Sequence, residues 1–163
     1  MTHLIEARER ASSYTRRHWT AAVTLGALAA VLGHRLVLWS QDCDGMGCIG
    51  TSLVATAAGT VLVPVLAVLG LALVRAPRPV RCGVAGSVAG VVLASAFAMV
   101  DAAARGYSPG SVVPFWALLL AGVLAGPAGI VLAGAGFDRS QRLRVAVLIA
   151  VVFALATMPV SGQ

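Results

Sequence analysis

The chain has 163 residues, of which 59% are hydrophobic and only 11% are charged, and its net charge is +6. Its mean hydropathy of +0.91 lies far outside the range of a water-soluble domain of this size. These values exclude an ordinary soluble domain. The distribution of the apolar residues along the chain is therefore the main evidence about the fold.

Five long apolar runs account for most of the chain. Four of them are near or above the roughly 20 residues that a helix needs to cross a hydrocarbon core, and the fifth is shorter. Each run is predicted to be helical, because a segment in lipid must satisfy its own backbone polar groups. We therefore predict an all-α integral membrane protein with a basic cytoplasmic segment at residues 1–17 and a single five-helix transmembrane bundle at 18–163. The predicted spans are 20–38, 53–74, 84–104, 115–136 and 145–160.

The basic residues lie in alternate gaps between the runs. All 12 are arginines, and ten of them precede the first run or follow the second and fourth runs. The positive-inside rule then predicts a cytoplasmic N-terminus and, with five spans, an extracytoplasmic C-terminus. Tyr14 is expected at the inner membrane interface, where amphipathic rings prefer to lie. Insertion topology and anionic lipid explain the charge better than nucleic acid does.

The composition also indicates a source and a membrane. Arginine replaces lysine throughout, and alanine, valine, glycine and leucine dominate the remainder. Such usage is typical of a GC-rich genome. The predicted location is a bacterial cell membrane, in which the lipid bilayer is the first partner.

Small residues recur at every fourth position in three of the runs. This spacing allows close approach of helices in lipid. We expect it to serve packing within the bundle, with a homo-oligomer or a membrane-protein partner as the alternative use of the same faces. The residues are Ala22, Gly26 and Ala30 in the first run, Gly86, Gly90, Ala94 and Ala98 in the third, and Gly122 and Gly126 in the fourth.

The loop after the first run carries two cysteines, Cys43 and Cys48, on the predicted outer side. A cysteine pair that closes a small glycine-rich loop in an oxidising compartment is predicted to form a disulfide. Two alternatives are open: a Cu(I) site that includes Met46, since thiolate and thioether ligands suit that ion, and a disulfide relay, which normally has a Cys-x-x-Cys pair. Cys82, on the cytoplasmic side, is expected to be a free thiol.

Three ionisable residues fall inside the runs, namely His34, Arg35 and Asp101. By helical rise they share a depth near the outer surface, and ionisable groups inside a membrane usually face the bundle interior. We predict an intramembrane polar cluster in which Asp101 pairs with Arg35. The rival pair is local, since Asp101 and Arg105 are four residues apart on one helix.

The motifs of known chemistry are missing from the sequence. Intramembrane proteolysis, b-haem ligation and nucleotide binding each require residues in a spacing that does not occur here. No cofactor or metal is expected, and the protein is predicted not to be an enzyme. Two function classes follow: an accessory, assembly or scaffold subunit of a larger membrane complex, and a small transporter or channel with a polar site at His34, Arg35 and Asp101.

Overall fold

The structure is a computed structural model that describes residues 14–41, 47–105 and 114–157. Every regular element in these ranges is an α-helix, which confirms the all-α prediction for this part of the chain. The five helices are α1 (Arg16–Gln41), α2 (Gly47–Leu73), α3 (Pro79–Arg105), α4 (Phe115–Ala133) and α5 (Arg139–Thr157).

Three of the described helices are long and apolar enough to cross a membrane. They are the segments Arg16–Trp39, Pro79–Ala104 and Phe115–Ala133, and a shorter apolar helix covers Ala57–Leu73. A membrane protein with at least these candidate spans is therefore supported. The number of crossings and the side of each terminus stay predictions.

Four helices form a ring and the fifth lies outside it. α4 packs most extensively, against α3 on one side and α1 on the other, and α2 joins α1 to α3 across the ring. α1 and α3 are therefore diagonal neighbours. α5 packs on the outer side of α3 and, less extensively, of α4.

The backbones of α1 and α4 touch where both helices carry small residues. A Cβ atom on Gly26 would overlap the backbone of Gly122, and one on Gly126 would overlap the backbone of Ala22. Such contact is possible only without a side chain on the glycine. The small-residue pattern thus serves packing within the chain, as expected. A partner or second copy bound through such faces stays a prediction.

The contact of α3 with α4 is built in the same way. α4 buries a strip spaced by four residues, Ala117, Ala121, Ala125 and Gly129, because that spacing keeps residues on one helix face. Gly129 meets the backbone of Cys82 and Gly86. The result is a thin alanine and glycine interface that holds the two helices close together.

The outward surface of the bundle is apolar. Large hydrophobic side chains are exposed on every helix, and Leu73 reaches 85% exposure. A continuous surface of this kind is unfavourable in water and is suited to hydrocarbon. Other examples are Leu28, Val61, Leu69, Val100, Leu148 and Leu155.

Two helix ends at one end of the bundle have well-defined caps. α2 ends in a Schellman motif, in which the Ala76 amide donates to the Leu71 carbonyl and the Arg75 amide donates to the Ala72 carbonyl, both at 2.9 Å. Ala76 and Leu71 are buried together, as this motif favours. Asp138 caps α5, since its carboxylate accepts the Gln141 amide at 2.8 Å.

Candidate functional site

The three predicted intramembrane residues have different environments. His34 is half-buried and its ring lies 4.9 Å from that of Phe115, centroid to centroid. Its Nδ1 atom is buried and has no hydrogen-bond partner among the described residues. Arg35 is exposed, and Asp101 is half-buried.

The structure does not place these residues on neighbouring helices. His34 and Arg35 belong to α1 and Asp101 to α3, and these helices are diagonal in the ring. The pair of Asp101 with Arg35 stays a prediction. So does its rival, because the side chain of Arg105 lies outside the described part of the chain.

The predicted disulfide also lies outside the described side chains. Cys43 and Met46 fall in the gap before α2, and Cys48 is described only as part of the first turn of α2. The disulfide and its two alternatives stay predictions. Cys82 is a free thiol, as expected, and is only 1% exposed. This burial should protect the thiol from thiol reagents.

The bundle interior contains an apolar cavity. It has a volume of about 520 Å³ and lies inside the ring formed by α1, α2, α3 and α4. Glycine, alanine and valine dominate the helix faces that line it. Representative lining residues are Ala29, Gly33, Val63, Ala67, Ala94 and Ala121.

The two hydroxyl groups that line the cavity are satisfied within their own helices. Thr60 donates to the Ala57 carbonyl and Ser87 donates to the Gly83 carbonyl, each at 2.9 Å. Such back-bonding leaves little demand for a polar ligand. The cavity wall is therefore apolar in practice.

A cluster of polar contacts closes the bundle below the cavity. We call it the tyrosine clasp, and it consists of Tyr14, His18 and Cys82 with the backbone groups that they contact. The Tyr14 hydroxyl donates to the Pro77 carbonyl at 2.7 Å and accepts from the Ala135 amide at 3.3 Å. The Cys82 sulfur lies 3.6 Å from the same hydroxyl. The segment before α1 is thereby tied to both helix connections at this end.

Burial of the Tyr14 ring changes its acidity. The ring is 6% exposed and packs against His18 and Phe137, each 5.8 Å away between ring centroids. Loss of solvation, with a smaller contribution from the Cys82 contact, raises the pKa of Tyr14 to about 12. The hydroxyl is therefore held as a neutral donor.

His18 makes the second link of the clasp. Its Nδ1 atom accepts the Thr15 amide at 3.0 Å, so the proton of the neutral ring is on Nε2, which lies 3.1 Å from the Val74 carbonyl. The Val74 carbonyl belongs to the end of α2. His18 thus fixes the first turn of α1 against the capped end of α2.

The arginine-rich connections meet at this same end of the bundle. Arg142 donates from Nη2 to the Gly134 carbonyl at 2.8 Å and holds the connection between α4 and α5. Arg16, Arg17, Arg75, Arg78, Arg81, Arg139 and Arg144 lie on the segments that the clasp brings together.

Sequence reasoning missed both the clasp and the cavity. Tyr14 was expected to be an interfacial ring, and its partners lie 63 and 121 residues further along the chain. No local pattern signals such contacts. In the part of the chain that is described, no group of three His, Cys, Asp or Glu residues is arranged to hold a metal ion.

No protein-family model, curated protein or solved structure matches the chain.

Proposed function

We propose that the protein is a multi-pass integral membrane protein of a bacterial cell membrane. It acts without catalysis, as an accessory, assembly or scaffold subunit of a larger membrane complex. In this proposal all five helices cross the bilayer, the N-terminus is cytoplasmic and the C-terminus is extracytoplasmic. The clasp and the arginine-rich connections then lie on the cytoplasmic side.

The apolar interior of the ring is the observation that carries this proposal. A path for an ion or a polar solute needs polar groups along it. The described cavity instead presents aliphatic walls, and its two hydroxyls are bonded to their own helices. Such an interior suits a protein that acts through packing in the membrane.

The second candidate is a small transporter or channel with a polar site at His34, Arg35 and Asp101. One observation favours it: the buried Nδ1 atom of His34 has no hydrogen-bond partner in the described ranges. A buried nitrogen of this kind calls for a polar ligand or a polar neighbour. Because Arg35 is exposed, such a site would lie at the periphery of the bundle and not in the interior of the ring.

Purification of the tagged protein in mild detergent discriminates between the two candidates. The proposal expects a membrane protein to co-purify in a fixed ratio and to cross-link to the tagged chain in intact cells. A lone protein or homo-oligomer that moves a solute across liposomes would overturn it. His34→Ala is the matched variant, because it should abolish such transport and leave co-purification intact.

Reporter fusions test the proposed topology. A reporter after Gln163 should be active outside, and one inserted at Pro77 should be active inside. The fifth helix is the sensitive point, since it is the shortest predicted span. A cytoplasmic reporter after Gln163 would contradict the five-span arrangement and leave α5 on the inner surface.

A further inference from the structure

The shape of the central cavity limits what can occupy it. Its lining extends from Gly59 to Leu71 on α2 and from Cys82 to Ala94 on α3. At 1.5 Å per residue, each of these stretches is about 18 Å long. With a volume of about 520 Å³ over that length, the cavity is longer than it is wide.

An elongated space of this kind suits a hydrocarbon chain, which is long, narrow and flexible. The wall is aliphatic and its two hydroxyls are bonded within their own helices, so an occupant needs no polar group. A chain of methylene groups can follow the length of the cavity and contact its wall throughout.

One end of the cavity is closed. Leu71 and Cys82, which line it beside the clasp, are only 4% and 1% exposed. Val68 of α2 also packs directly against Gly83 of α3 at this level. An occupant cannot leave through the arginine-rich end of the bundle.

The side of the cavity between α2 and α3 is open. Val88 and Val91 of α3 line the cavity and are nevertheless 61% and 65% exposed, and Thr60 of α2 is exposed as well. The cavity is therefore open to the outside between α2 and α3, beyond the contact of Val68 with Gly83. The opening faces the apolar outer surface of the bundle, where lipid chains lie if the helices cross a bilayer.

We propose that this cavity is a binding site for the acyl chain of a bilayer phospholipid, which enters sideways between α2 and α3. An empty apolar space of this size would forfeit dispersion contacts along its whole wall. A flexible chain restores those contacts and asks for no hydrogen bond. The inference rests on the membrane location in the proposed function and is independent of any partner subunit.

Photolabelling in vesicles of phosphatidylethanolamine and phosphatidylglycerol tests the site. A small fraction of the phosphatidylethanolamine carries a diazirine in its acyl chain, and adducts are assigned to residues by tandem mass spectrometry. Leu118 and Leu120 both lie on α4, but Leu118 lines the cavity and is half-buried, whereas Leu120 is outside the lining and 47% exposed. The proposal expects adducts on both residues.

Two cavity glycines allow the space to be filled without disturbing the fold. A Cβ atom on Gly33 meets nothing within 4 Å, and the nearest atom to one on Gly59 is 3.9 Å away, in Leu36. The double variant Gly33→Leu, Gly59→Leu should lose the adduct on Leu118 and keep the adduct on Leu120. Two control variants should change neither adduct. Gly33→Ala adds only one methyl group, and Ala146→Leu adds volume outside the ring.

Three results would overturn the site. The first is labelling of Leu120 without Leu118 in the unaltered protein, which needs no variant and holds even if the double variant fails to fold. The second is an undiminished Leu118 adduct in a folded double variant. The third is cross-linking between two copies through cavity residues, which would make a second chain the occupant. These measurements do not depend on a partner subunit, so they test the cavity even if no partner co-purifies with the protein.

Discussion

The hydroxyl of Tyr14 donates a hydrogen bond to the carbonyl oxygen of Pro77, 63 residues further along the chain, at 2.7 Å. The hydroxyl oxygen of Tyr14 also accepts a hydrogen bond from the Ala135 amide at 3.3 Å. One side chain therefore joins the start of α1 to the connection between α2 and α3 and to the connection after α4. These are the contacts that hold the ring together at its closed end.

Removal of the Tyr14 hydroxyl should destabilise the bundle. Tyr14→Phe keeps the ring packing and leaves the Pro77 carbonyl and the Ala135 amide without this partner. A buried polar group left unsatisfied costs about 1–3 kcal/mol. We expect a lower thermal midpoint in detergent. Thr24→Val is the matched control, because the exposed Thr24 hydroxyl bonds only within α1. Equal midpoints for the two variants would remove the clasp as a source of stability.

Alkaline pH should act on the same hydroxyl. The pKa of Tyr14 is raised to about 12 in the folded protein from its ordinary value of 10.0. A raised folded pKa means that the neutral form stabilises the fold fully below pH 10, and this stabilisation is lost as the pH rises through the folded value. Tyrosinate absorbance should therefore show a late transition that Tyr14→Phe abolishes. A single ordinary transition for both tyrosines would contradict the buried, bonded ring.

The sequence was sufficient for the features that depend on local pattern. Helix location follows from run length, and the spacing of small residues predicts faces that pack closely, although it does not say that Gly26 meets Gly122. The clasp could not be predicted, since Tyr14 looks like any interfacial aromatic residue until its distant partners are known. The cavity could not be predicted for a different reason. Residues such as Ala29, Val63 and Ala67 give the same apolar pattern in the sequence whether they line a cavity or fill a closed core.

Arg75 occupies a backbone conformation that favours glycine. Its φ is 56° at the Schellman position that ends α2, where a Cβ atom costs about 1–2 kcal/mol. Arg75→Gly should therefore stabilise the protein by about 1 kcal/mol, after the extra unfolded-state entropy of glycine is subtracted. The measurement is the thermal midpoint in detergent. Arg75→Ala removes the same charge and keeps the Cβ atom, so an equal gain in that variant would assign the effect to charge.

The start of α5 should loosen in acid. The Gln141 amide and then the Ser140 hydroxyl, which both donate to the Asp138 carboxylate, lower the pKa of Asp138. A lowered folded pKa means that the cap stabilises the helix above the unfolded pKa and is lost as the pH falls through the folded value. Hydrogen exchange of the Gln141 amide, relative to its intrinsic rate, should rise there. Asp138→Asn retains an acceptor without titrating and should show no such rise.

Two glycines of α1 should respond to the same substitution in opposite ways. A Cβ atom on Gly26 overlaps the Gly122 backbone, so Gly26→Ala must push α1 away from α4 and destabilise the ring. A Cβ atom on Gly33 meets open space, so Gly33→Ala gains the helix propensity of alanine, up to about 1 kcal/mol, without a clash. Thermal midpoints measured side by side in one detergent provide the test. A shift of the same sign for both variants would contradict either the close contact of α1 with α4 or the open cavity beside Gly33, and the sign of the shift identifies which.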